Sequence, residues 1–197
     1  MRWLPGVAAN YGAHAFFIAI PLAWWFRLSR RFPVGGFGHG QLRPWYLLWT
    51  LAVVGEFAAA FLSPPSTVHI HSMAALIAQL VLLAFFVGPS EESLFRGLIQ
   101  TRLNASLHAS FSIGSWRFRA GTGLTAFLFG TWHFTNLSFQ SLGATTEQVG
   151  SAIFVGFVIG AVYDRTRNLI GACILHNLID FLGAAAPLLV YVVTRSS

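Results

Sequence analysis

Apolar residues run along this chain in long blocks separated by short polar stretches, not in the alternating or one-faced patterns of soluble strands and helices. Six blocks approach the roughly 20 residues that a membrane-spanning helix needs: 10–28, 44–62, 70–88, 121–138, 149–164 and 168–193. The expected fold is therefore all-α, a polytopic bundle of about six transmembrane helices forming one domain over residues 1–197. Pro89 follows the third block, and a less apolar helix is expected to continue past it to about Leu103. A proline there kinks a helix or marks a fresh first turn. Gly183 and Pro187 are expected to bend or divide the last block.

The connections test this register independently. Arg27, Arg30, Arg31 and Arg43 lie between the first two blocks, Arg102, Arg117 and Arg119 between the third and fourth, and Arg165 and Arg167 between the fifth and sixth. The alternate connections, Ser63–His69 and Phe139–Gln148, hold no arginine. Six crossings require that alternation, and the positive-inside rule then places both termini outside the cytoplasm. The first block ends in Trp24-Trp25-Phe26-Arg27 with no small-residue cleavage site before the charge. An aromatic belt and an anchoring cation read as a retained helix, not a cleaved signal peptide.

Composition strengthens the membrane reading. Of 197 residues, 55% are hydrophobic and only 9% charged, where a soluble domain carries about a quarter. The net charge of +6 comes from arginine alone, and these arginines are dispersed among apolar blocks. No basic patch forms, so nucleic acid is excluded as a partner, and retention at a lipid bilayer explains the charge. The single cysteine, Cys173, sits in an apolar block and reads as a small core residue. Gly35-Gly36-Phe37-Gly38-His39-Gly40 lacks the lysine and the preceding strand of a phosphate loop and reads as a connection. Ser63-Pro64-Pro65-Ser66 reads as a turn.

Candidate chemistry begins at Pro89-Ser90-Glu91-Glu92-Ser93-Leu94-Phe95-Arg96-Gly97. Ionisable groups inside a membrane segment are costly, and by default they mark a functional site. Helical residues four apart share a face, whereas neighbours diverge by about 100°. Glu92 and Arg96 are thus expected to pair and support the helix, leaving Glu91 without a local partner and free to face a cavity. Phe129 precedes His133 by four residues, so its ring is expected to pack beneath the imidazole, and His176 and Asp180 repeat the same spacing. Counting inward from Arg102 at 1.5 Å per residue puts Glu91 about 16 Å deep, and His176 about 12 Å from Asn168. One layer inside the membrane can hold the glutamate and both histidines. Glu56 is read as a structurally paired intramembrane carboxylate, His69 and His71 as interfacial, and His14, His39 and His108 carry no motif.

Glu91-Glu92-x-x-x-Arg96, Phe129-x-x-x-His133 and His176-x-x-x-Asp180 together resemble the three ordered motifs of the CPBP family, the CAAX-processing and bacteriocin-processing intramembrane endopeptidases. Gly156 to Thr166 also resembles the family's segment before its last motif, and a motif-bearing catalytic core spans about residues 70–185. The resemblance implies peptide-bond hydrolysis in a membrane-tethered protein or peptide. It makes Glu91 the base that activates water with help from His133, and gives oxyanion stabilisation to His176 and position 180. Glu92 and Arg96 become supporting residues. Position 180 departs from the family, which usually carries asparagine there. An ionised aspartate donates no hydrogen bond to an oxyanion, so Asp180 must be protonated, orient His176 or bind a metal.

The family is described both as glutamic and as metal-dependent. Glu91, His133, His176 and Asp180 would suit zinc, but the H-E-x-x-H pattern of soluble zinc proteases is absent. The preferred expectation is a metal-free mechanism needing no cofactor, with zinc as the alternative. The leading function is a prokaryotic-type endopeptidase of the cytoplasmic membrane. Its rival is a non-catalytic scaffold that binds and sequesters a membrane partner. A transporter would predict inverted repeats, and none is found.

Overall fold

The computed structural model describes residues 3–28, 50, 54–55, 58 and 73–195, with side chains at 11–23, 50, 54–55, 58 and 73–185. The second expected span apart from positions 50, 54, 55 and 58, with Glu56, the glycine-rich stretch, the Ser63–Ser66 turn, His39, His69 and His71, lies outside the described residues.

The frame is helical. Helix α1 covers Trp3–Leu28 with Pro21 inside it. Helix α2, Met73–Phe85, is followed by α3, Val87–Glu92. The chain continues as a π-helical stretch, Ser93–Gln100, and then α4, Thr101–Ser106. Pro89 therefore falls in a fresh first turn of α3, where its missing N–H costs little, and the 41° bend lies at Phe86, before the proline. The helix runs past Leu103 to Ser106, close to the expected end.

A two-stranded antiparallel hairpin follows, β1 at Ser110–Ile113 and β2 at Trp116–Arg119, turning through Gly114 and Ser115. The fold is all-α as expected, and this short hairpin is its one addition among the described residues. The pattern S-F-S-I…W-R-F-R alternates polar and apolar residues, as a short strand pair does, but it is too brief to stand out among the apolar blocks. Helix α5, Ala120–Trp132, passes into a 3-10 turn, His133–Ser138. Helix α6, Leu142–Thr166, begins at Ser141, whose Oγ accepts from the Ala144 N–H. It stops at Arg167, which adopts a left-handed conformation. Helix α7, Leu169–Arg195, runs unbroken through Gly183 and Pro187, so the expected division of the last block is not found.

The expected count of six spans is not recovered from the described residues. Only α6 is long and apolar enough to cross a membrane alone, and α2 with the α3–α4 run passes the same test as one bent pair. Helix α5 has 13 residues, about 20 Å of rise against a hydrocarbon core of about 30 Å.

Small residues bring the site-bearing elements together. At Gly130 on α5, an added Cβ would collide with the Ile153 side chain and meet the Ile153 N at 2.8 Å, so α5 and α6 touch backbone to backbone. At Gly88 on α3, an added Cβ would collide with the Cys173 carbonyl of α7. The Gly88 N–H donates instead to Asn177 Oδ1 at 2.6 Å. That bond satisfies one of the open N–H groups that every helix start leaves, and it locks the first turn of α3 onto α7.

Candidate active site

Glu92 and Arg96 are fully buried, with Arg96 Nη1 3.0 Å from Glu92 Oε1, so the expected pair forms. Its setting was not legible from spacing alone. Arg96 Nη2 also donates to the Gly156 carbonyl of α6 at 2.9 Å, and its guanidinium lies 4.7 Å from the centre of the Phe129 ring. Glu92 Oε1 accepts a second bond, from His176 Nδ1 at 2.6 Å. A buried ion pair is tolerable only when extra hydrogen bonds complete it, and here α6 and α7 supply them. The pair therefore does more than hold its own helix. Glu92 accepts the Nδ1–H of His176 in a hydrogen bond, which turns the opposite ring nitrogen, Nε2, toward the cavity.

Phe129 stands at the centre of the cluster. It is 3% exposed and meets Phe95 edge-on at 5.0 Å, His133 at 5.1 Å and His176 at 5.7 Å. Its position beneath the His133 ring is the one the i, i+4 spacing calls for. The passage from α5 into the tighter 3-10 turn has a chemical effect at this point. The His133 backbone N–H bonds to Gly130, three residues back, which leaves the Phe129 carbonyl open. His133 Nδ1 donates to that carbonyl at 2.9 Å. A carbonyl only accepts, so the proton sits on Nδ1 and Nε2 keeps its lone pair.

Glu91 has no i, i+4 partner on its own helix, but two imidazoles approach it. Its Oε2 lies 3.6 Å from His176 Nε2, and its Oε1 lies 4.0 Å from His14 Nδ1. Asp180 Oδ2 is 3.3 Å from the same His176 Nε2. The His176 ring is thus held between Glu92 on one side and Glu91 with Asp180 on the other. Glu91, His133, His176 and Asp180 all line one cavity of about 980 Å³, together with His14, Gln79, Asn136, Glu147 and Gln148. The catalytic candidates from α3, the end of α5 and α7 therefore share one space. Glu92 and Arg96 lie behind it.

Two residues were not legible as part of the site. His14 carries no recognisable motif, yet it lines the cavity and contacts the Glu91 turn. Asn136 carries no motif either, but its Nδ2 donates to Gln148 Oε1 at 2.8 Å in the cavity wall. Only the fold brings these partners together. Asn177 lies off the His176 face, as its spacing requires, and its work is the clasp on Gly88.

Among the described residues, no group of three or more His, Cys, Asp or Glu side chains is placed to hold an ion. His133 Nδ1 and His176 Nδ1 bond to Phe129 and Glu92, so the nitrogen that each ring presents to the cavity is Nε2.

A family model described as "Type II CAAX prenyl endopeptidase Rce1-like" matches residues 73–182, more than half of the chain and a range that includes Glu91, His133, His176 and Asp180. No curated protein and no solved structure matches.

Proposed function

Because the chain belongs to the Rce1-like family of type II CAAX prenyl endopeptidases, which are integral to membranes, we propose that it hydrolyses a peptide bond in a membrane-tethered protein or peptide. The observation that carries this reading is the shared cavity of Glu91, His133, His176 and Asp180.

In the proposed reaction a water enters between Glu91 and the substrate carbonyl. Glu91 takes one proton from it while the oxygen attacks the carbonyl carbon. His133 Nε2, whose lone pair is left free by the Nδ1–Phe129 bond, holds the same water by accepting its other proton in a hydrogen bond. The carbonyl becomes a tetrahedral oxyanion, and His176, carrying a proton on each ring nitrogen between Glu92 and Asp180, meets it with Nε2–H. Donors fixed in a site poor in water stabilise such charge strongly. The Glu91 proton then passes to the leaving amine, the C–N bond breaks, and the carboxylate is restored. Asp180, 3.3 Å from His176 Nε2, acts by orienting that ring. The mechanism is glutamic and needs no metal, and the protein is a prokaryotic-type enzyme of the cytoplasmic membrane.

The test is cleavage of a fluorogenic prenylated CAAX peptide by the purified chain in detergent. Glu91→Gln removes the base and should lower kcat by 10²-fold or more, roughly, with folding unchanged. A chelator should leave the wild-type rate unaltered. Full activity in Glu91→Gln would overturn the hydrolytic role, and loss with chelator restored by zinc would overturn the metal-free one.

A further inference from the structure

We infer that His14, on α1 and outside the matched segment 73–182, is a positioning residue that holds the Glu91 turn through Ser90. The inference rests on the reading of Glu91 as the base. Helix α3 is only six residues long, with the bend at Phe86 before it and the π-helical stretch after it. The regular α repeat on either side of Glu91 is short, and side chains from other elements add to what fixes this turn. Asn177 clasps Gly88 from α7. His14 clasps Ser90 from α1.

The hydrogen-bond arithmetic at Ser90 is closed. Ser90 is fully buried, and its Oγ donates to the Val87 carbonyl at 2.7 Å. A hydroxyl has one proton, so toward His14 it can only accept. The Nδ1 of His14, 2.7 Å away, is therefore the donor, and the same nitrogen lies 4.0 Å from Glu91 Oε1. One imidazole thus fixes the residue before the base and stands against the base itself.

Helix α1 is itself anchored where it must be. Tyr11, His14 and Phe17 recur three apart on one face. Tyr11 Oη donates to the Ala78 carbonyl at 2.9 Å and its ring meets Phe86, at the bend, at 5.6 Å. Phe17 packs edge-on against His14 at 6.1 Å and against Trp132, beside His133, at 5.4 Å. These contacts seat His14 between the bend and the end of α5.

Two variants separate positioning from packing. His14→Phe keeps an aromatic ring against Phe17 and removes the donor, whereas His14→Asn keeps a donor near the Nδ1 position. With the same fluorogenic peptide, His14→Phe should lower kcat about tenfold or more, since small misplacements of a reacting group are costly, with KM little changed. His14→Asn should recover most of that loss, and Ser90→Ala should add nothing to His14→Phe. Wild-type kcat in His14→Phe, or a loss that asparagine does not recover, overturns the inference. A second readout needs no substrate: modification of Glu91 by dicyclohexylcarbodiimide, followed by mass spectrometry and absent in Glu91→Gln. His14→Phe should change that rate several-fold and His14→Asn should restore it, whereas equal rates sink the inference. If the wild type fails to cleave the peptide while the labelling still responds to His14, the hydrolytic reading fails and the positioning of Glu91 stands.

Discussion

At residue scale, Asp180 is the most informative position. It lies where an oxyanion donor is usual, yet it faces the Nε2 of the histidine proposed to serve that oxyanion. If its task is orientation, Asp180→Asn should keep activity within about threefold of wild type, because an amide oxygen still accepts from Nε2–H. Asp180→Ala should lose about tenfold or more in kcat, as a freed ring drifts from its geometry. A collapse of activity in Asp180→Asn would show that the charge itself is needed. The Glu92–Arg96 pair gives a second expectation. Arg96→Met leaves a fully buried carboxylate without its cation, which costs roughly 3–5 kcal/mol and should appear as a large drop in the thermal midpoint in detergent. Adding Glu92→Gln should restore part of it. Spacing made the Glu92–Arg96, Phe129–His133 and His176–Asp180 relations legible, because a helix imposes its period on any sequence. It could not reveal that His176 Nδ1 reaches across to Glu92, or that His14 reaches Ser90. Those contacts join residues 84 and 76 apart, and no local pattern encodes them.

At the scale of elements, the apolar blocks marked where helices stand but not how they break. The bend at Phe86 precedes the proline that signals it, and α5 yields to a 3-10 turn at the residue whose imidazole needs the freed carbonyl. The hairpin escaped notice because its two strands have four residues each. The contact of α5 with α6 has a direct test. Gly130→Ala drives a methyl into Ile153, with the Val149 carbonyl 2.9 Å away. Overpacking of this kind costs about 1–3 kcal/mol, and since Phe129 and His133 flank the contact, kcat should fall with the thermal midpoint. An unchanged midpoint would mean that the two helices are not so tightly joined.

For the molecule as a whole, the structure brings together two connections that the arginine pattern assigns to one side. Arg165, at the end of α6, donates to the Arg117 carbonyl of the hairpin at 3.0 Å and lies over the Trp116 and Phe118 rings. Arg119 pairs with Asp164 at 3.5 Å. If this end faces the cytoplasm, Ser115→Cys at the hairpin turn, in a Cys173→Ala chain, should resist a membrane-impermeant maleimide in intact cells and react in inverted vesicles. Labelling in intact cells would reverse the orientation. Between this arginine-bearing end and the cavity lies Ser93–Gln100, wound with the wider five-residue repeat, in which Thr101 Oγ1 reaches back to the Arg96 carbonyl. A straight α-helix turns about 100° with each residue, so the surplus residue in this stretch sets the rotational phase between the two ends. A gene that lost a single codon here would still encode a sound rod. Its hairpin, however, would face a different quarter of the compass from the cavity-bearing end, and the two halves of the protein would no longer share a front.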